Sequence, residues 1–169
     1  MIYVCGLADL PHLASELDPT HVISLLGDDP FPETPGSVVP DGHLKLQLHD
    51  ITEPLPGYIA PETEHVECLL DFSRRWEQAG PLIIHCYAGV SRSTAAALAV
   101  LCIYNQGREQ DAARVLRARG PHAFPNRRMI ELADDLLGCG GRLLDAVDGM
   151  STPDLLAPLK SIELPVRLD

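Results

Sequence analysis

The sequence predicts an α/β fold in which a central, mostly parallel sheet of about four to five strands is flanked by helices. Two observations predict it. Short apolar runs alternate with longer stretches of helical period, the pattern of strand–helix–strand units. The 169 residues also include 15 prolines and 13 glycines, which divide the chain into many short elements joined by punctuated loops.

Taken in order, residues 2–5 and 21–26 are apolar runs closed by Gly6 and Gly27, and both are expected to be buried strands. Between them, residues 8–17 have helical spacing, with Pro11 placing the helix start near itself. Residues 28–42 hold four prolines and two glycines and are expected to be a loop. Residues 43–49 alternate, with Leu44, Leu46 and Leu48 on one face, and form the third strand. A second proline-broken loop, 50–57, leaves it.

Pro61, Glu62 and Glu64 then mark a helix start, Val66, Leu69, Leu70 and Trp76 its buried face, and Gly80 its stop. The fourth strand is expected at 82–85, and helices at 92–105, 109–119 and 126–137. The last of these carries Met129, Ile130, Ala133, Leu136 and Leu137 on one face and ends at Gly138. Residues 1–139 therefore read as one domain, and Cys139, Gly140 and Gly141 as a hinge into a tail, 140–169. In that tail Ile162, Leu164, Val166 and Leu168 alternate, either as an added edge strand or as an arm packed on the domain.

The formal charge of −11 argues against a nucleic-acid backbone or an anionic membrane as partner. Residues 1–80 hold 14 acids against Lys45, Arg74 and Arg75, whereas between Cys86 and Arg128 there are seven arginines and only Glu109 and Asp111. That asymmetry is either a set of solvated helix faces or a local positive field that draws in an anionic substrate. The five cysteines, Cys5, Cys68, Cys86, Cys102 and Cys139, lack Cys-x-x-Cys spacing and read as reduced thiols. No basic residue precedes Lys45, and the apolar run at 95–104 is too short to span a bilayer, so a cytoplasmic protein is expected.

Function concentrates in His85-Cys86-Tyr87-Ala88-Gly89-Val90-Ser91-Arg92-Ser93, between the fourth strand and the helix after it. Ligands of such sheets bind beyond the carboxyl ends of the strands, where Cys86 is expected to lie. If the backbone from Tyr87 to Arg92 wraps into a cradle, its N–H groups and the following helix N-terminus converge on an oxyanion. Gly89 supplies the positive φ or close approach that such a turn demands. Helix N-termini and nearby cations favour a cysteine thiolate, and the planar fork of Arg92 matches two oxygens of a phosphoryl group.

These residues resemble the signature of the cysteine-dependent protein tyrosine phosphatase superfamily, His-Cys-x-x-Gly-x-x-Arg-Ser/Thr, at His85, Cys86, Gly89, Arg92 and Ser93. The chain is most similar to the compact dual-specificity-like branch and its small bacterial members. The resemblance implies a phosphatase-like catalytic domain, attack by the Cys86 thiolate on phosphorus, a phosphocysteine intermediate, and hydrolysis with no metal and no cofactor. It implies that Arg92 binds the phosphoryl group, that Ser93 stabilises the departing thiolate and that His85 orients the loop. It also implies a general acid upstream on a loop. Asp50 fits, 36 residues before Cys86 at the end of the third strand, with Glu53 and Asp41 in reserve. The Trp-Pro-Asp motif of the larger tyrosine phosphatases is absent. Pro125-Asn126 matches the branch only in part, and no catalytic role is assigned there.

The variable loop positions Tyr87, Ala88, Val90 and Ser91 include no lysine, which ranks a phosphorylated protein or a small phenolic phosphate above an inositol lipid as substrate. Tyr87 either lines the pocket or packs. Cys5 is expected to be an inert buried thiol rather than a disulfide partner of Cys86. The loop itself should accept a phosphate- or sulfate-type anion. The competing readings are a phosphate-binding module without turnover, and cysteine chemistry of the arsenate reductase or rhodanese kind.

Overall fold

The computed structural model describes residues 1–168. Its elements run β1 (Ile2–Gly6), α1 (Leu10–Leu17), β2 (His21–Leu26), β3 (His43–Gln47), α2 (Thr63–Arg75), β4 (Leu82–Cys86), α3 (Arg92–Tyr104), α4 (Glu109–Arg119), α5 (Arg127–Leu137), α6 (Arg142–Asp148) and β5 (Ile162–Leu164). The sheet has the order β3-β2-β4-β1-β5, parallel throughout except for β5, which runs antiparallel on the β1 edge. The expected α/β architecture is the one observed.

Side-chain alternation along β4 divides the core. Leu82, Ile84 and Cys86 enter the larger core beneath α2 to α6, whereas Ile83 enters a smaller one with Cys5, Val22, Leu10 and Leu13 beneath α1. Leu82, Ile83 and Ile84 are fully buried, each contributing about 1.5–3 kcal/mol relative to an exposed position. A one-residue slip would exchange the two faces, so this burial fixes which face Cys86 occupies. Helix α3 lies inside the larger layer with eleven of its thirteen residues buried, which explains its small, all-round apolar sequence.

Two expectations change, and one open alternative is decided. Helix α2 ends at Arg75 rather than running to Gly80, because Glu77 and Gln78 take left-handed backbone, φ 48° and 59°. This early turn lets the buried Trp76 donate from Nε1 to the Gly80 carbonyl at 3.0 Å. Gly80 is needed for contact instead, since a Cβ there would lie 2.4 Å from the Thr20 side chain. Second, the tail contains a helix, α6, too short to show a period. The buried Asp134 carboxylate holds its first turn, accepting from the N–H groups of Gly141 and Leu143. Third, of the two alternatives for the end of the tail, residues 162–164 form an edge strand, with Val166 and Leu168 packed into the core after it. Among the described residues no helix is long and apolar enough to cross a membrane.

Candidate active site

Because β1 to β4 are parallel, their carboxyl ends share one side of the sheet, and Cys86 stands at the end of the central strand β4. Above it opens a cleft of about 650 Å³ whose lining includes Asp50, Glu53, Leu55, Cys86, Tyr87, Arg92, Phe124 and Asn126.

The loop between β4 and α3 is turned by Gly89, at φ 75°. A Cβ there would meet the backbone of Cys5 and Gly6 at 2.7 Å, so both reasons for glycine apply together. The carbonyls of Tyr87, Val90 and Ser91 accept from Leu7, Phe124 and Asn126, all outside the loop, which turns the loop carbonyls away from Cys86. The Cys86 sulfur is 3.2 Å from Ser93 Oγ and accepts the Gly89 N–H at 3.3 Å.

Arg92 is buried and donates from one terminal nitrogen to the Leu48 carbonyl at 2.8 Å, which ties it to the end of β3. Its Nε is also buried and has no partner among the described residues. A buried donor left unpaired costs about 1–3 kcal/mol, which an oxyanion in the cleft would recover. His85 is fully buried, with Nδ1 3.4 Å from the Cys86 carbonyl and Nε2 2.6 Å from Ser24 Oγ. Burial pushes its pKa down to about 4, against the hydrogen bond to Cys86 and with the help of the nearby Arg92 charge.

Asp50 leaves β3 at the rim of the cleft. Its Oδ1 accepts from Ser91 Oγ at 2.7 Å and from Asn126 Nδ2 at 2.8 Å. His49 ties off the loop that follows, donating its N–H to the Ile59 carbonyl at 2.7 Å and accepting the Ile59 N–H on Nδ1 at 2.9 Å. Glu53 is exposed on that loop and lines the cleft. Asp41 precedes β3 at the opposite end of the sheet, with φ 61°, and drops out as an acid.

Tyr87 is 61% exposed and lines the cleft, which decides its alternatives. Ala88, Val90 and Ser91 line it too. The arginine-rich half does not focus on the site. Of the seven arginines only Arg92 and Arg127 line the cleft, and Arg127 is paired with Glu131 and Asp148. Arg108 and Arg114 pair with Asp111, while Arg117 and Arg128 donate to the Pro121 and Pro61 carbonyls. Cys5 is in register with His85 and faces the α1 core, away from the Cys86 face, and burial pushes its thiol up to about 12. Among the described residues no group of three or more His, Cys, Asp or Glu is arranged to hold a metal.

Sequence reasoning missed Asn126, Ser24 and His49. The signals for Asn126 were its place after a proline at a helix start and a partial match to the family pattern, which mark the cap and not the contact with Asp50. Its Oδ1 indeed accepts the Met129 N–H at 3.1 Å.

No protein-family model matches the sequence, and no curated relative does. Solved structures do. DUSP15 superposes with a TM-score of 0.62 at 21% identity, covering 89% of this chain and 92% of that one. Human DUSP28 gives 0.63 at 16% identity, over 82% and 92%. PTPMT1, solved in complex with PI(5)P, gives 0.56 at 16% identity, over 82% and 90%. The chain thus has the fold of the dual-specificity branch of the cysteine-dependent phosphatases.

Proposed function

We propose that this protein is a phosphatase that hydrolyses phosphate monoesters through a phosphocysteine intermediate on Cys86. The observation that carries the reading is Cys86 in the lining of the cleft, its sulfur faced by Ser93 Oγ and the Gly89 N–H, beside Arg92, which lines the same cleft and whose buried Nε has no partner among the described residues.

In the first step the thiolate attacks phosphorus, an S–P bond forms and the P–O bond to the leaving group breaks. Arg92 and the loop N–H groups hold the three equatorial oxygens, which carry the transition-state charge. Asp50 gives its proton to the leaving oxygen. Two donors already occupy Oδ1, so the proton sits on Oδ2. In the second step water attacks phosphorus, the Asp50 carboxylate takes the water proton, and the S–P bond breaks. Ser93 Oγ–H then stabilises the returning thiolate. His85 holds the Cys86 carbonyl and does not react. The chemistry asks for no metal because cysteine is the nucleophile and arginine the charge clamp.

The cleft also bears on the substrate. Leu55, Tyr87 and Phe124 stand around it 49%, 61% and 62% exposed, an apolar collar about a single anion site. Among the described residues Arg92 is the one lining cation without a carboxylate partner. This supports a phosphotyrosine-bearing protein or a small phenolic phosphate over a phosphoinositide such as the PI(5)P in the PTPMT1 complex. The free thiols of all five cysteines suit a reducing, cytoplasmic setting.

The test is hydrolysis of an aryl phosphate in the presence of chelator by wild type and Cys86→Ser. Activity spared by chelator and abolished by the substitution is expected, with phosphate trapped on Cys86 by acid quench. Turnover that persists in Cys86→Ser would overturn the mechanism.

A further inference from the structure

Behind the nucleophile loop, side chains from separate parts of the chain form one unbranched series of hydrogen bonds. His85 Nε2 on β4 is 2.6 Å from Ser24 Oγ on β2, and Ser24 Oγ is 2.8 Å from His43 Nε2 at the start of β3. His43 Nδ1 is in turn 2.8 Å from Thr34 Oγ1 in the loop between β2 and β3. Ser24 and His85 are fully buried and stand opposite each other in register. The outer bond, at Thr34, reaches solvent.

Each proton in this series can be assigned. A carbonyl only accepts, so the His85 Nδ1 facing the Cys86 carbonyl carries hydrogen. Burial keeps both rings neutral at pH 7, with pKa values of about 4, and the neighbouring charges of Lys45 beside His43 and Arg92 beside His85 act in the same direction. A neutral ring with hydrogen on Nδ1 has a bare Nε2, which must accept the Ser24 hydroxyl. Ser24 has then spent its only proton, so His43 donates to it from Nε2. The His43 Nδ1 is therefore bare and accepts from Thr34.

We propose that Ser24 and His43 are positioning residues for the nucleophile. Through this series they fix the tautomer and ring orientation of His85, and so the carbonyl of Cys86 and the peptide plane from which the anion cradle begins. Thr34 closes the series from the surface loop. Nothing in the His-Cys-x-x-Gly-x-x-Arg-Ser signature requires these three residues, which lie 43 to 62 positions before Cys86. The inference rests on Cys86 being the reacting atom, and its test does not need turnover.

The rate of iodoacetamide alkylation of Cys86 at pH 7, with kcat and KM for an aryl phosphate beside it, compares Ser24→Ala, His43→Leu and His43→Gln. Alkylation and kcat should fall roughly five- to tenfold in Ser24→Ala and His43→Leu, the factor that one net hydrogen bond supports, with KM little changed. Gln at 43 keeps an N–H for Ser24 and should restore both to within about twofold of wild type. In wild type the imidazole nitrogen NMR shifts of His85 should show hydrogen on Nδ1 alone, and in His43→Leu a mixture of tautomers. Wild-type alkylation in His43→Leu, or His43→Gln as impaired as His43→Leu, would overturn the proposal. If alkylation follows the expected order while every variant and the wild type lack turnover, the series stands and the phosphatase reading fails.

Discussion

Asn126 donates to the Asp50 carboxyl at 2.8 Å across 76 positions of chain, and the same side chain accepts the Met129 N–H at 3.1 Å. One residue thus starts α5 and aims the candidate acid. Asn126→Asp separates these duties, because it keeps an oxygen for the cap, removes the donor and sets two carboxyls side by side. Like charges favour the protonated acid, so the basic limb of the pH–rate profile should move to higher pH, with little loss of stability. Asn126→Ala should also cost about 1 kcal/mol in urea unfolding through the lost cap. An unmoved limb in both variants would remove Asn126 from the site.

Asp50→Asn tests the acid itself. A leaving group that departs without a proton needs no acid, so the loss should be slight for an activated aryl phosphate and about a hundredfold for an alkyl phosphate. Equal losses on both substrates would point instead to a binding role, and an unchanged profile would transfer the acid's role to Glu53.

Gly89 and Gly57 make a matched pair. Both have positive φ, 75° and 82°, but a Cβ at 89 meets fixed β1 backbone at 2.7 Å whereas one at 57 meets nothing within 4 Å. Gly57→Ala should therefore cost only about 1 kcal/mol for the left-handed conformation, and Gly89→Ala on the order of 2–4 kcal/mol together with loss of turnover. Chemical denaturation of the two variants, read side by side, checks the difference.

Acid should weaken the fold through the buried histidines. His85 and His43 are lowered from 6.5 to about 4 by burial, so between those values the unfolded chain binds protons that the folded one refuses. Stability is full above about pH 6.5 and falls as pH drops toward 4, by on the order of 3 kcal/mol for His85 alone. Urea midpoints between pH 7 and 4.5 should show a steeper decline in wild type than in His43→Gln, and identical slopes would refute it.

Much of this protein was legible one segment at a time. Alternating strands and helices specified the α/β class, since burial on a sheet face and on a helix face imposes different periods on apolar residues. The stretch from His85 to Ser93 specified the loop, because a strand, a glycine turn and a helix start must follow one another directly to bring Cys86 and Arg92 to one cleft. Local signals failed where short elements or long-range bonds decide. Helix α6 has too few residues to display a period, and α2 ended early where Glu77 and Gln78 take left-handed backbone. The count of arginines left open a set of solvated helix faces or a focused field, and most of these side chains face partners of their own.

What the sequence by itself determined is the residue pattern of one loop and the class of fold that presents it. Only the tertiary structure decided what surrounds the loop: that Asp50 is held by Ser91 and Asn126, that Asp41 lies at the wrong end, and that Ser24 and His43 stand behind His85. Hydrogen bonds of this kind join residues distant in the chain, and their partners are selected by strand register and helix placement rather than by spacing along the sequence.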